Sequence, residues 1–93
     1  MKLKPSERAT KKIQKLSKDN KVRKRIAEFL IFCKENEEDV IKGRMKPCRS
    51  PLHPAYHKHL SKELLIFATF DGDTCIINDL GHWEQFFGKK KYY

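Results

Sequence analysis

Two apolar segments separated by three turn-forming residues constrain this 93-residue chain more than any other feature. Residues 64–70 (Leu-Leu-Ile-Phe-Ala-Thr-Phe) form an apolar run of strand length, and residues 74–80 (Thr-Cys-Ile-Ile-Asn-Asp-Leu) form a second one. The Asp-Gly-Asp sequence at 71–73 has the composition of a tight turn. The pattern therefore predicts an antiparallel β-hairpin.

Two helices are predicted before this hairpin. Residues 6–18 have apolar side chains only at helical spacing, and Ser6 can cap the first turn. Asp19-Asn20 interrupts this helix and can cap a second one, from about residue 21 to residue 34, whose apolar face is broader. We expect the first helix to cover the core and the second to contribute to it, in an antiparallel helix hairpin.

The segment 42–62 has a different character. It holds three of the four prolines, three of the four histidines and six Lys/Arg, and it has no acidic residue. Its prolines exclude a central strand over 47–54, whereas residues 55–60 can form a strand.

The order of these elements predicts a single α+β domain over residues 1–93. Two N-terminal helices pack on one face of a three- to four-stranded antiparallel sheet, and a short C-terminal helix or turn follows at 81–87. Residues 1–5 are expected to be a short strand or disordered, and residues 89–93 form a basic aromatic tail.

The formal net charge of +9 is concentrated near the N-terminus. Residues 1–25 hold eleven Lys/Arg and two acids, whereas basic and acidic residues balance in the rest of the chain. Such a field favours a polyanionic partner, either nucleic acid or an acidic protein surface, although a solvated lysine-rich helix face has the same composition. No apolar run approaches the ~20 residues of a membrane span, so we expect a cytoplasmic protein. Three widely spaced cysteines argue against a disulfide framework.

The histidines admit three interpretations. Cys48, His53, His57 and His59 lie within twelve residues and are zinc-ligand types, but their spacing matches no common zinc motif. They can also be ordinary surface residues. The third interpretation is acid–base cleavage of RNA, because imidazole, with a reference pKa near ~6.5, can act as base or acid at neutral pH.

The surroundings of His57, His59 and His82 suit that third interpretation. Ammonium and guanidinium groups stabilise the charge that develops on the phosphorus, so no metal or other cofactor is required. The nearby basic residues are Lys42, Arg44, Lys46, Arg49, Lys58 and Lys62. Flat side chains on which a base could stack are Trp83, Phe86, Phe87, Tyr92 and Tyr93.

Two C-terminal motifs carry a family resemblance. Residues 56–67 (Tyr-His-Lys-His-Leu-Ser-Lys-Glu-Leu-Leu-Ile-Phe) combine an aromatic, a basic residue, a His-hydrophobic pair, a short turn and an apolar strand. Residues 76–87 form a strand followed by Gly-His, with an aromatic four residues after the histidine. Upstream, residues 6–16 match a first helix and residues 41–43 a Leu-Lys-Gly-like step. In these features the chain resembles the RelE/ParE superfamily of type II toxin–antitoxin toxins, and most closely its YafQ-like mRNA interferase branch.

The resemblance implies a small metal-independent endoribonuclease that cuts mRNA, often in the ribosomal A site, and is neutralised by a cognate antitoxin protein. By position it implies His82 as the principal acid–base residue and His59 as the second, with Phe86 supporting the substrate. His57 is a third catalytic candidate. The remaining candidates for substrate binding are Tyr56, Lys58, Lys62, Arg49 and Trp83.

Two other functions remain open. One is a ParE-like toxin that inhibits DNA gyrase without nuclease chemistry, and the other is a non-catalytic RNA-binding relative. Where the YafQ-like branch often has Trp-Lys-x-Tyr-Arg, residues 53–57 read His-Pro-Ala-Tyr-His and lack the arginine, so an inactive or retargeted member is a further alternative. The histidines beside the basic segment favour RNA cleavage over gyrase inhibition.

Overall fold

The computed structural model describes residues 1–47, 55–82 and 84–87, with side-chain detail at 84 and 86 in the last range. The described chain folds into four helices and five strands. In chain order the elements are β1 (Lys2–Pro5), α1 (Glu7–Leu16), α2 (Asn20–Glu35), α3 (Glu38–Gly43), β2 (Lys46–Pro47), β3 (Tyr56–His59), β4 (Leu64–Asp71), β5 (Thr74–His82) and α4 (Glu84–Phe87).

The strands of the described chain form one sheet in the order β1-β5-β4-β3-β2. The α+β class and the β4–β5 hairpin are confirmed, but the expected three- to four-stranded antiparallel sheet is corrected to a five-stranded mixed one. The difference comes from the sheet edges: β1 pairs in parallel with β5, and the two-residue β2 pairs with β3. The other neighbours are antiparallel. A parallel pairing between residues more than 70 positions apart leaves no local sequence pattern.

Side-chain caps start the two long helices as predicted. The Ser6 hydroxyl accepts a hydrogen bond from the Ala9 amide at 3.0 Å, and it also donates to the Asn78 carbonyl of β5 at 2.7 Å. The Asp19 carboxylate accepts from the Lys21 amide at 2.9 Å. Each cap satisfies an amide that has no partner within the helix. The Ser6 cap also fixes the start of α1 against the sheet.

The main core lies between the helices and one face of the sheet. α1 buries only Ala9, whereas α2 buries Ile26, Phe29 and Cys33, which confirms that α1 is the cover and α2 the core helix. Cys33 and Cys75 are free and buried in this core. Hydrogen bonding to Cys75 and burial raise the pKa of the Cys33 thiol, which therefore stays protonated.

A β-bulge in β5 determines which side chains reach this core. Ile77 pairs with Ala68 and Asp79 pairs with Phe67, so Asn78 is an extra residue in β5. Consequently Ile77 and Leu80, three positions apart, both join the core under the helices. Asp79 follows the pleat to the opposite face of the sheet. We call that second face, which carries Leu65 and Phe67 of β4, the open face.

The β4–β5 turn depends on a glycine. Gly72 is the first of the two turn residues and has φ +61°, whereas Asp73, like every other non-glycine residue of the described chain, has a negative φ. This combination is typical of a type II′ turn, whose twist matches that of the paired strands.

Within the described ranges, none of the helices combines the length and the apolar character that crossing a membrane demands.

Candidate functional site

The strand register gathers polar side chains on the open face. His57 and His59 of β3 lie opposite Phe67 and Leu65 of β4, respectively. Lys46 of β2 lies opposite His57 on the outer side. Because paired residues share a face, the two histidines and this lysine lie on the same side of the sheet as the Phe67 ring.

His57 is a buried member of this group. Its side chain is only 8% exposed, and its ring centroid lies 6.3 Å from that of Phe67 and 6.1 Å from that of His59. Burial, His59 and Lys46 lower the pKa of His57, in that order of effect. The ring is therefore neutral at pH 7. Because it is buried, it is suited to holding the neighbouring His59 ring in position.

His59 lies at the exposed end of β3. Partial burial, Lys46 and Lys58 lower the pKa of this imidazole, because a nearby cation disfavours a second positive charge. A neutral imidazole in a cationic surface can accept a proton while the adjacent ammonium groups attract an anion.

His82 ends β5 on the other side of β4. It is paired with Leu64, one residue beyond Gly81, and Gly81 and His59 both pair with Leu65. His59 and His82 therefore flank β4 at the same end of the sheet. The pleat places His82 on the Leu64 side and His59 on the open face. The His82 side chain is exposed, with Nδ1 3.9 Å from a carboxylate oxygen of Glu63.

The two described aromatic candidates are packed against other side chains. Tyr56 lies on the helix side of the sheet, where its ring contacts Phe70 edge-on at 5.9 Å and Lys42 Nζ lies 5.2 Å from its centre. Phe86 is 9% exposed, and its ring packs edge-on against Phe67 at 4.7 Å. In this arrangement Phe86 covers part of the open face, and its faces are not free platforms for a base.

The basic candidates Lys58, Lys62 and Arg49 lie in different parts of the chain. Lys58 is half-buried on the helix side of β3, opposite Ile66, and Lys62 is exposed in the turn between β3 and β4. Arg49 and Trp83 lie outside the described residues, as do the tail at 89–93 and two of the candidate zinc ligands, Cys48 and His53. Within the described ranges no group of three metal-ligating side chains comes together.

Sequence reasoning missed a buried ion pair beneath the open face. Asp79 is 4% exposed, and its carboxylate lies 2.7 Å from Lys12 Nζ and 3.7 Å from an Arg8 guanidinium nitrogen. It also accepts a hydrogen bond from the Leu80 amide at 2.9 Å. Lys12 Nζ in turn lies 4.9 Å from the centre of the Phe86 ring. The sequence does contain a signal for this ion pair, namely an acidic residue inside the apolar run 74–80. Such a residue requires a cation when it is buried.

These cations come from the first helix, which therefore does more than carry exposed charge. Arg8 and Lys12 are one helical turn apart, so both reach Asp79 from the same side of α1. The pair attaches α1 to the last residues of β5, and through Phe86 to α4. Asp79 lies three residues before His82, the last residue of β5.

The architecture, with helices on one face of a five-stranded mixed sheet, is a YafQ-like fold. A solved structure with this fold is YafQ from E. coli strain BL21(DE3), with a TM-score of 0.74 over 92% of this chain and 97% of that chain, at 13% identity. At this identity the similarity establishes the fold. No family model matches the sequence, and no curated protein is similar to it.

Proposed function

We propose that this protein is the toxin of a toxin–antitoxin pair and cleaves mRNA without a metal ion or other cofactor. The observation that carries the proposal is the register that places His59 and His82 on either side of β4, at one end of a YafQ-like sheet. A phosphate lying across the end of β4 would have one imidazole on each side. The family resemblance supplies the substrate class.

The chemistry requires a base, an acid and a cationic surface. His59, with its lowered pKa, takes the proton from the ribose 2′-hydroxyl. The 2′-oxygen forms a bond to phosphorus, the bond from phosphorus to the 5′-oxygen breaks, and His82 donates a proton to that leaving oxygen. The products are a 2′,3′-cyclic phosphate and a free 5′-hydroxyl.

Neighbouring side chains support this reaction in different ways. The charges of Lys58 and Lys62 attract the phosphate and stabilise the additional negative charge of the transition state. His57 positions His59 from the side, since its buried ring is next to the rings of both His59 and Phe67. Arg49, Tyr56, Trp83 and Phe86 complete the proposed substrate-binding set, Phe86 through its support of Phe67.

Partners follow from the same proposal. The substrate is mRNA, bound on the ribosome, and the eleven Lys/Arg of residues 1–25 favour an RNA-rich surface. The cognate antitoxin would contribute an acidic amphipathic segment that covers the basic surface and the histidines.

The test is cleavage of a labelled mRNA by the purified chain in a cell-free translation mixture. We expect cleavage by the parent protein and a loss of about 10²–10⁴-fold in rate for His59→Ala and for His82→Ala. The control is Lys34→Ala, an exposed position in the last turn of α2, which should cleave normally. Circular dichroism should show that all three variants are folded.

Three outcomes would contradict the proposal. Intact mRNA and normal translation with folded protein would exclude the ribonuclease. Unchanged cleavage by both histidine variants would exclude the assigned chemistry. Inhibition of DNA supercoiling by gyrase, without RNA cleavage, would establish the gyrase-directed alternative.

A further inference from the structure

A cleft of about 380 Å³ lies on the helix side of the sheet, next to the end of β3. It is open to solvent and is bordered by α2, by the residue that follows α3 and by the last residues of β3. The polar and aromatic residues that line it include Arg25, Glu28, Phe32, Arg44, Lys58 and His59. Its volume is within the range of small-ligand sites.

The cleft is cationic, and two of its arginines are held in place. Arg25 Nη1 donates a hydrogen bond to the Leu60 carbonyl at 3.0 Å, which ties α2 to the end of β3. The Arg44 guanidinium lies 5.0 Å from the centre of the Phe32 ring, a cation–π distance. Three permanent positive charges face the single carboxylate of Glu28 among the lining residues. An anion is therefore favoured there.

The cleft is continuous with the histidine site through His59. His59 is one of the residues that line the cleft, and its pairing with Leu65 places its side chain on the open face. In the part of the chain that is described, β2 pairs with β3 only at Tyr56 and His57. The His59 end of β3 therefore lies beyond the described β2–β3 pairing.

We propose that this cleft is a second nucleotide subsite, which binds the phosphate and base next to the cleaved bond of a single-stranded RNA. Arg44 and Lys58 bind the phosphate, and the Arg44–Phe32 pair provides a flat surface for the base. Arg25 positions the end of β3. The identity of the ligand rests on the proposed function, whereas the binding site itself rests on the cleft.

RNA suits these groups better than an acidic peptide does. A guanidinium stacked on an aromatic ring offers both a planar surface and an anion-binding edge, which matches a base with its phosphate. A carboxylate side chain would use only the charge. The alternation of aromatic and cationic groups therefore favours a nucleotide.

The test measures binding of a short fluorescein-labelled single-stranded RNA to the uncleaving His82→Ala protein, by anisotropy over a range of salt concentrations. Adding Arg44→Ala should weaken binding roughly five- to tenfold and reduce the slope of log affinity against log salt by about 1. Adding Lys34→Ala, which removes the same charge from α2 outside the cleft, should change neither quantity. Arg44→Lys should restore the salt slope but not all of the affinity.

Glu28→Gln provides a test of opposite sign. Removing the carboxylate of the cleft should tighten RNA binding about two- to fivefold, because the cleft then has no opposing charge. This variant also keeps the proposal testable if Arg44→Ala fails to fold.

The outcomes separate this subsite from the proposed catalysis. Equal weakening by Arg44→Ala and Lys34→Ala, or no effect of Glu28→Gln, would overturn the subsite even if the parent protein cleaves RNA. The expected binding pattern together with an inactive parent protein would support the subsite and contradict the catalysis. Binding of a polyglutamate peptide that depends on Arg44, with RNA binding unaffected, would assign the cleft to a protein partner and overturn the proposal.

Discussion

The two faces of the sheet differ in how they are built. The helix side is packed with aliphatic side chains from β4, β5 and α2, most of them fully buried. The open face has a small cluster of Leu65, Phe67 and Phe86, and beside it an ion pair and two histidines. One sheet therefore combines a face whose centre is apolar with a face whose centre carries ionisable groups.

This difference shows how a 93-residue chain can hold polar groups rigidly. The apolar core on one side fixes the strand register, and the register alone then fixes which side chains meet on the other side. The open face needs few apolar contacts of its own, because the core on the other side of the sheet already fixes its geometry. The following predictions test this division, from the largest expected effect to the smallest.

Alanine substitutions of Ile76 and Ile77 compare the two faces of the sheet, because the same residue type lies on opposite faces at these neighbouring positions. Ile77→Ala removes a fully buried side chain from the helix side, and we expect it to lower the free energy of unfolding by about 2–5 kcal/mol. Ile76, its neighbour on the other pleat, is only half-buried, so Ile76→Ala should cost less than about 1.5 kcal/mol. Urea denaturation measures both values, and equal losses would contradict the division between the faces.

Substitutions in the Lys12–Asp79 ion pair test whether electrostatic attraction on the open face stabilises the fold. Lys12→Met leaves the buried Asp79 carboxylate without its nearest cation, and we expect a loss of about 1–3 kcal/mol in the free energy of unfolding. Combining it with Asp79→Asn should cost less than the sum of the single changes. Lys11→Met is the control, since the exposed Lys11–Glu7 pair contributes less than about 0.5 kcal/mol. Strict additivity in the double mutant would show that the pair is not coupled.

The β4–β5 turn sets the register for both faces at once. Gly72→Ala places a side chain at φ +61°, so we expect it to destabilise the protein by about 1 kcal/mol. Gly43→Ala is the matched control, because its φ is not positive and a Cβ there meets no atom within 4 Å. Thermal unfolding compares the two variants. A similar change in both would argue against the type II′ turn.

The pKa of His59 is the most sensitive measure of the charges around the open face. It should lie below the ordinary value near ~6.5. A base must be neutral to accept a proton, so cleavage should fall as the pH decreases through this lowered pKa. Lys58→Ala removes one of the cations responsible, and we expect it to raise the pKa of His59 and to move this decrease to higher pH. NMR titration of the imidazole gives the value directly, and Lys62→Ala, which is not among the causes, should leave it unchanged.

Local sequence signals predicted much of the fold. Ser6 and Asp19 marked the helix starts because capping depends on a few adjacent residues. The β4–β5 hairpin was predictable because two apolar runs bracket a turn containing Gly72. For residues 1–5 the sequence left a short strand and disorder open, because β1 is only four residues long and its partner β5 lies at the other end of the chain.

The candidate site was less predictable than the fold. The sequence identified His57, His59 and His82, but nothing local distinguished the buried His57 from the exposed His59, because that difference depends on Phe67 of the next strand. Likewise, Phe86 could be read as a substrate platform until its contact with Phe67 was seen. The cleft that contains Arg25 and Arg44 involves residues far apart in sequence, so only tertiary structure reveals it.

Because of the bulge at Asn78, the alternation of inward-facing and outward-facing side chains in β5 shifts by one residue. Before the bulge, the odd-numbered positions 75 and 77 are apolar and point inward, whereas after it the even-numbered position 80 does. Without the bulge, a strand with the same number of residues could keep either its first half or its second half in phase with the core, but not both. Regular pairing of Asn78 would thus exchange Leu80 and Asp79 between the two sides of the sheet, which makes the bulged conformation at Asn78 as strict a requirement as the identity of its neighbours.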